Sequence, residues 1–281
     1  MRRVSAVLRA FQVLDALMMA ARPMSTSELS RLLGIPRNTT YDLVGTLAEI
    51  GVVAPQDDGK VWLGFYAFEL GAAYGNSVEL IRQARDIATG LSKQTNETCQ
   101  LAVLDGREVV YLAKEEGRQA VRLVSEVGGH LPAHATAVGK VQLAYLPEAE
   151  FSALYEGVTL ERLTPNTVTD IEELRRQLDE IRKRGYALDN QEGTPDACCV
   201  AAPILTGHDV AVAGLSISVP VSRWSDAVEK QSSKLLRGAA KQLTRRMGYD
   251  AAAPVAAELA GFGKAEARRR DMKKATGHED G

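Results

Sequence analysis

Val7, Phe11, Leu14 and Met18 recur every three or four positions, the spacing of one apolar helical face, and Pro23 ends that run. Ser25-Thr26-Ser27-Glu28 follows with capping-box spacing: the Ser25 hydroxyl can take an orphan backbone N–H while Glu28 reaches back. A short helix is predicted through Leu29, Leu32 and Leu33. Gly34 then supplies a turn and Pro36 suits a first helical position, so a third helix runs to about Ile50 on Leu43, Val44 and Leu47. Val52–Ala54 and Val61–Leu63 flank Asp57-Asp58-Gly59 and predict a hairpin. Helix, helix, tight turn, helix and hairpin is the winged helix-turn-helix arrangement.

Residues 64–76 are apolar and rich in small side chains, and a longer helix is predicted over about 79–94. Together they read as a stalk between two domains, bent near Gly75-Asn76. Beyond residue 97 the period changes. Cys99–Leu104 and Glu108–Leu112 flank Asp105-Gly106-Arg107 as a hairpin, and a strand is expected around Val121–Val124. Asp170 opens a strongly periodic helix through Leu174, Leu178 and Ile181, with acids at its start and Arg182-Lys183-Arg184 at its end to complement the helix dipole. Tyr186–Leu188, Cys199–Leu205 and Val210–Val219 are predicted strands, and a final helix spans about Trp224 to Met247. Hairpins with helices between them imply an antiparallel sheet with helical cover.

The expected organisation is therefore α+β: a winged helix-turn-helix over 1–63, a linker helix over 64–78, a mixed sheet domain over 79–249 and a disordered tail over 250–281. The tail is rich in alanine, glycine and charge without a sustained apolar face. Its Arg268-Arg269-Arg270 and Lys273-Lys274 are interleaved with acids and read as a solvated charge run.

Composition sharpens the class. With 45% hydrophobic and 25% charged residues, pervasive disorder and fibre are excluded. No apolar run approaches the roughly 20 residues needed to span a bilayer. Arg9, Gln12 and Asp15 interrupt the apolar start, so it does not read as a signal peptide, and a cytoplasmic protein without membrane partners is expected. Cys99, Cys198 and Cys199 form no CxxC and cannot all pair within one chain, which argues against zinc-ribbon and thioredoxin readings. The net charge is −2, and residues 1–75 carry seven basic and seven acidic side chains. A neutral head releases few counterions per copy, so tight DNA binding would need two or more copies on one site.

Four segments carry a family resemblance. LSRLLGIPRNTTYDLVGTLAEIGVV resembles the helix-turn-helix of the IclR family of bacterial transcriptional regulators. LPAHATAVGK (131–140) and RGYALDNQEGTPDACCVAAPI (184–204) resemble its two effector-domain signatures, and AGLSISVP (213–220) its terminal strand. The match spans about residues 4–248 in the family's order. It implies a C-terminal domain of GAF/profilin-like shape and a homodimer or tetramer that binds double-stranded operator DNA under control of a small-molecule effector.

For DNA, the helix-turn-helix requires a helix presenting polar tips to base edges, braced by phosphate contacts. Arg37, Asn38 and Thr39 open the third helix and match the family's basic-polar-polar start; Thr46 is placed toward the backbone and Lys60 at the hairpin toward an adjacent groove. Asn38 and Thr39 alternatively serve only the helix N-terminus. Asp42 stands where relatives commonly carry Arg; it would repel phosphate but can accept from cytosine N4.

For the effector, Ala135 to Val138 put small residues at a helix start, where an anion is electrostatically welcome. The resemblance places backbone contacts at Ala137 and Val138 and side-chain contacts at Asp189, Cys199, Ser216 and Ser218. Ser216 and Ser218 alternate along one predicted strand and so face one side of the sheet. Leu123 and Leu131 are expected as apolar walls. This set suits a hydroxylated, carboxylate-bearing or aromatic metabolite. Cys199 reads equally as a packing residue and Asp189 as a turn or capping residue. Asp196 stands where the family usually has Gly. His134 fits a packed, hydrogen-bonded histidine better than a metal ligand, and no cofactor or metal is expected. Ser216, His134 and Asp189 formally supply a hydrolase trio, but no serine lies in a GxSxG elbow and no Walker or GxGxxG loop is present. An enzyme is not expected. The remaining alternative is a GAF-like metabolite-binding scaffold or partner-binding protein without strong DNA binding.

Overall fold

The structure, a computed structural model, describes residues 4–117, 125–207 and 209–248. It divides into two compact units that meet in sequence at Ser77 and Val78.

In the first unit, α1 (Ser5–Ala20), α2 (Thr26–Leu33) and α3 (Arg37–Ile50) precede the hairpin β1 (Val53–Pro55) and β2 (Val61–Leu63), and α4 (Phe65–Ser77) follows. The predicted capping box starts α2: Glu28 N–H donates to Ser25 Oγ at 3.2 Å, and Ser25 N–H to Glu28 Oε2 at 2.8 Å. Gly34, at φ +63°, ends α2 and makes the turn into α3. The core is Val13, Ala16, Leu17, Leu29, Val44 and Leu47 with Val53 and Val61 of the wing.

Three expectations are adjusted here. The buried face of α1 is carried by Val13, Ala16 and Leu17, whereas Val7, Phe11 and Met18 are about half exposed. The helix is hydrophobic over most of its girth and carries more than one apolar stripe, and periodicity cannot rank them. The helix also stops before Pro23, at Ala21, whose left-handed φ of 47° lets its N–H close onto Leu17 and Met18. The break expected near Gly75-Asn76 falls two residues later, at Val78, because α4 runs through both of those residues.

The second unit is built on a sheet with order β5-β4-β3-β8-β7-β6, every pair antiparallel. Its strands are β3 (Thr98–Asp105), β4 (Glu108–Glu115), β5 (His130–Pro132), β6 (Ala187–Asn190), β7 (Ala197–Leu205) and β8 (Ala211–Pro220). One face packs on α5 (Glu79–Thr95) and α9 (Asp226–Arg246) through Leu101, Val200, Leu215 and Ile217. The other packs on α6 (Ala137–Leu143), α7 (Glu148–Tyr155) and α8 (Ile171–Arg184) through Ala102, Tyr111 and Ala201. Strand residues alternate between these two cores, as a sheet covered on both faces demands. The expected strand at 121–124, Leu123 and the 250–281 tail lie outside the described residues. No helix among the described residues is long and apolar enough to cross a membrane.

Candidate functional site

One phase of the central strands builds a polar row. Asp189 of β6 pairs with Cys199 of β7, which pairs with Ser218 of β8, which pairs with Thr98 of β3; one step along, Ser216 pairs with Gln100. These residues share the sheet face that α6 covers. Polar groups so placed must find partners within the protein. Cys199 Sγ donates to Ser218 Oγ at 3.1 Å. Ser216 and Ser218 both donate to Gln100 Oε1, at 3.3 and 3.2 Å, and Gln100 Nε2 bonds Ser125 Oγ.

Above this row stands the start of α6. Thr136 caps it by accepting the Gly139 N–H at 3.1 Å, leaving the N–H groups of Ala137 and Val138 ahead of the intrahelical ladder. The helix approaches its surroundings so closely that only glycine fits at two places. A Cβ on Gly139 would lie 2.3 Å from the Ala133 carbonyl oxygen, and one on Gly214 of β8 would lie 2.6 Å from Val138 Cγ2.

Between α6 and the sheet is a cavity of about 30 Å³. Leu131, Ala137, Val138, Asp189, Cys199, Ser216 and Ser218 all line it, so the structure brings together every expected effector residue that it describes. Gln100, Tyr111, Ser125, Thr136 and Thr194 also line it and were missed. Gln100 had a legible signal, a lone amide in the otherwise apolar stretch CQLAVL.

Burial sets the electrostatics. Asp189 is pushed up to about 7 by desolvation, against the pull of its bonds from the Glu192 and Gly193 N–H groups and of Lys140. The Cys199 thiol is held well above its ordinary range by burial and by Asp189, so it is not a nucleophile at neutral pH. Burial likewise raises the Tyr111 phenol. Beside the cavity the buried Lys140 ammonium binds Glu192 Oε1 at 2.6 Å and Gln177 Oε1 at 3.2 Å. His134 is buried with Nε2 2.9 Å from the Glu161 carbonyl, and burial lowers its pKa. Asp196, at the family's usual glycine position, has φ +63°, the left-handed conformation glycine adopts most easily.

In the first unit, α3 exposes Arg37, Asn38, Asp42 and Thr46. Thr39 is half-buried, and Thr46 Oγ1 donates to its own helix at the Asp42 carbonyl, 2.8 Å away. Lys60 is half-buried with Nζ 2.5 Å from Asp58 Oδ2, an intramolecular ion pair at the wing. Tyr41, 72% exposed on the same side of α3 as Asn38, was missed as a surface candidate.

Comparisons with known proteins agree with these two units. A family model for the IclR helix-turn-helix domain matches residues 6–57, and one for the bacterial transcriptional regulator IclR C-terminal region matches residues 72–245. The chain is 37% identical over 249 residues to the HTH-type transcriptional regulator XynR of Escherichia coli (strain K12), covering 88% of this chain and 99% of that one. It is similar to the crystal structure of Thermotoga maritima IclR with a TM-score of 0.72 and 32% identity, over 88% of this chain and 100% of that one. It is also similar to an IclR homologue from Microbacterium hydrocarbonoxydans complexed with 4-hydroxybenzoate, with a TM-score of 0.78 and 27% identity, over 86% and 99%. On the winged helix-turn-helix, the two-sided sheet domain and these matches together, the chain belongs to the IclR family of bacterial transcriptional regulators.

Proposed function

We propose that this regulator senses a small carboxylate, aromatic acids included, in the cavity between α6 and β8, and that it reads operator DNA through α3 as a homodimer or tetramer. The observation that carries the sensor reading is the row Asp189, Cys199, Ser218, with Ser216 beside it, facing the free N–H groups of Ala137 and Val138. Backbone N–H groups and hydroxyls are donors suited to a carboxylate. Asp189 would repel such a ligand when ionised but can donate to it when protonated, and its raised pKa makes the protonated form available near neutrality. The complex of the Microbacterium hydrocarbonoxydans homologue with 4-hydroxybenzoate supports the same ligand class.

The cavity holds about one water's share of liquid volume, so an effector has to part α6 from the sheet to enter. An effector that favours the parted arrangement shifts the population toward it, and with it the spacing of paired recognition helices. Pairing is supported by the neutral charge of residues 1–75 and by the apolar surface left on α1 and α4, where Phe65 and Phe68 are 71% and 68% exposed and Phe11 is 50% exposed.

Calorimetric titration of small aromatic and aliphatic carboxylates, 4-hydroxybenzoate first, tests the sensor. Weakened binding in Ser218→Ala and a flattened pH dependence of binding in Asp189→Asn are expected; full affinity in the first together with the parent's pH profile in the second moves the pocket elsewhere. Mobility shift on the promoter DNA flanking the gene tests the reader, and Phe65→Asp/Phe68→Asp should yield monomers that no longer shift it.

A further inference from the structure

A second cavity, of about 550 Å³, opens where α9 passes β7, and it shares no lining residue with the effector pocket. Its size lies within the roughly 300–1,000 Å³ of small-molecule sites. Ala202, Pro203, Leu205 and Ala240 give it an apolar lining, and Arg237, Lys241 and Arg245 of α9 give it a cationic one.

These cations belong to a longer stripe. Lys230, Lys234, Arg237, Lys241 and Arg245 recur at three- and four-residue spacing and therefore share one side of α9, and all are exposed. None of the five makes an ion pair with another described residue. Surface cations are treated differently on α8, where Arg175, Arg176, Arg182 and Lys183 each pair with an acid. Arg237 has a partner of another kind, the Tyr186 ring at 5.9 Å. Two acids stand near the cleft: Asp209 acts on the Tyr145 phenol that also lines it, and Glu229 accepts from the hydroxyl of Tyr186, the ring that Arg237 meets, at 3.2 Å.

We propose that this cleft is a second ligand site, for an amphipathic organic anion. Its apolar body lies on Ala202, Leu205 and Ala240, and its acid group meets Lys241 and Arg245, with Arg237 beside them. Both halves of the site select for that class. A phosphate backbone would engage the cations and leave the apolar lining unfilled, and a neutral apolar compound would leave unpaired the cations that border it.

The probe is 2-naphthoate, with neutral 2-naphthamide as its control, titrated calorimetrically into the full chain. Saturable binding of naphthoate is expected, with shifts of the Ala202, Leu205 and Ala240 methyl resonances. Lys241→Gln/Arg245→Gln, which changes only exposed side chains, should weaken naphthoate by about tenfold or more and leave naphthamide unchanged. Ser218→Ala should leave this binding intact, which separates it from the effector pocket. No saturable binding at millimolar naphthoate overturns the proposal, as does naphthoate binding that Ser218→Ala abolishes or the double variant does not weaken. If the double variant instead loses non-specific duplex binding or self-association while naphthoate does not bind, the face belongs to DNA or a second copy and the proposal fails.

Discussion

Ser216 and Ser218, two residues apart on β8, both donate to a single oxygen, Oε1 of Gln100 on the neighbouring strand, at 3.3 and 3.2 Å. The hydroxyls that make the pocket polar are thus already engaged when it is closed. An effector has to offer them a better acceptor than an amide oxygen, and a carboxylate does.

Gln100→Ala is expected to separate stability from affinity. Removing the shared acceptor leaves two buried hydroxyls without it and should lower the urea stability of the sensor unit by about 1–3 kcal/mol. The same change frees both donors and enlarges the cavity, so the effector should bind more tightly. Unfolding curves and calorimetry on one preparation check both signs; weaker binding would make Gln100 itself an effector contact.

Asp189 carries a pH dependence whose sign is set by burial. Its folded pKa of about 7 lies above the ordinary 3.8, so the folded state holds this proton more tightly than the unfolded state. The stability it contributes is complete below the unfolded value and is lost as pH rises through about 7. Lys140, Glu192, Tyr111 and Cys199 act on or line the same site, and the Asn variant keeps an acceptor for the Glu192 and Gly193 N–H groups. Asp189→Asn should therefore come closest to the parent below about pH 4 and exceed its melting temperature increasingly toward pH 8. An anionic effector should also bind the parent more weakly at the higher pH, and the Asn variant should flatten that slope.

Lys140 and Glu192 form a buried pair, and Glu192 Oε2 has no hydrogen-bond partner. Lys140→Met leaves a buried carboxylate without its cation and should cost about 3–5 kcal/mol. Lys140→Met/Glu192→Leu should recover most of that loss, because the charge that needed the ammonium is gone. Denaturant titration of the single and double variants decides it; equal losses would assign the cost to packing.

Arg37 is exposed at the first position of α3. Arg37→Ala should weaken operator binding and lower the salt dependence of the affinity by about one unit of slope if its contact is to phosphate. If it reads guanine instead, discrimination against a changed base pair should fall by about 1–3 kcal/mol with the slope retained. Sedimentation should show an unchanged oligomer in either case. Undiminished affinity would remove α3 Arg37 from the interface.

Much of this molecule is written locally. The Ser25–Glu28 capping box, the left-handed Gly34 turn, the hairpin at Asp105–Gly106 and the Asp170-capped α8 each depend on residues a few positions apart. Such signals survive without knowledge of the rest of the chain. The alternation of Ser216 and Ser218 was legible for the same reason, since the strand repeat is two residues.

Other features needed the fold. On α1, apolar residues occupy more than one stripe, and only packing against α2, α3 and β2 selected Val13, Ala16 and Leu17 over Val7, Phe11 and Met18. Gln100 is more than a hundred residues from Ser216 and became its acceptor only through the β3–β8 register. Asp189 reads as an ordinary carboxylate until the sheet and α6 remove it from water. The capped and strongly periodic helices, the hairpins and the strand phases are legible in the chain alone because each rests on contacts within a turn or two, whereas the short β5 and α7 carry no such signal. Which apolar stripe is buried, which polar groups meet and which carboxyl holds its proton depend instead on long-range register and on exclusion of solvent, and so emerge only with the complete fold.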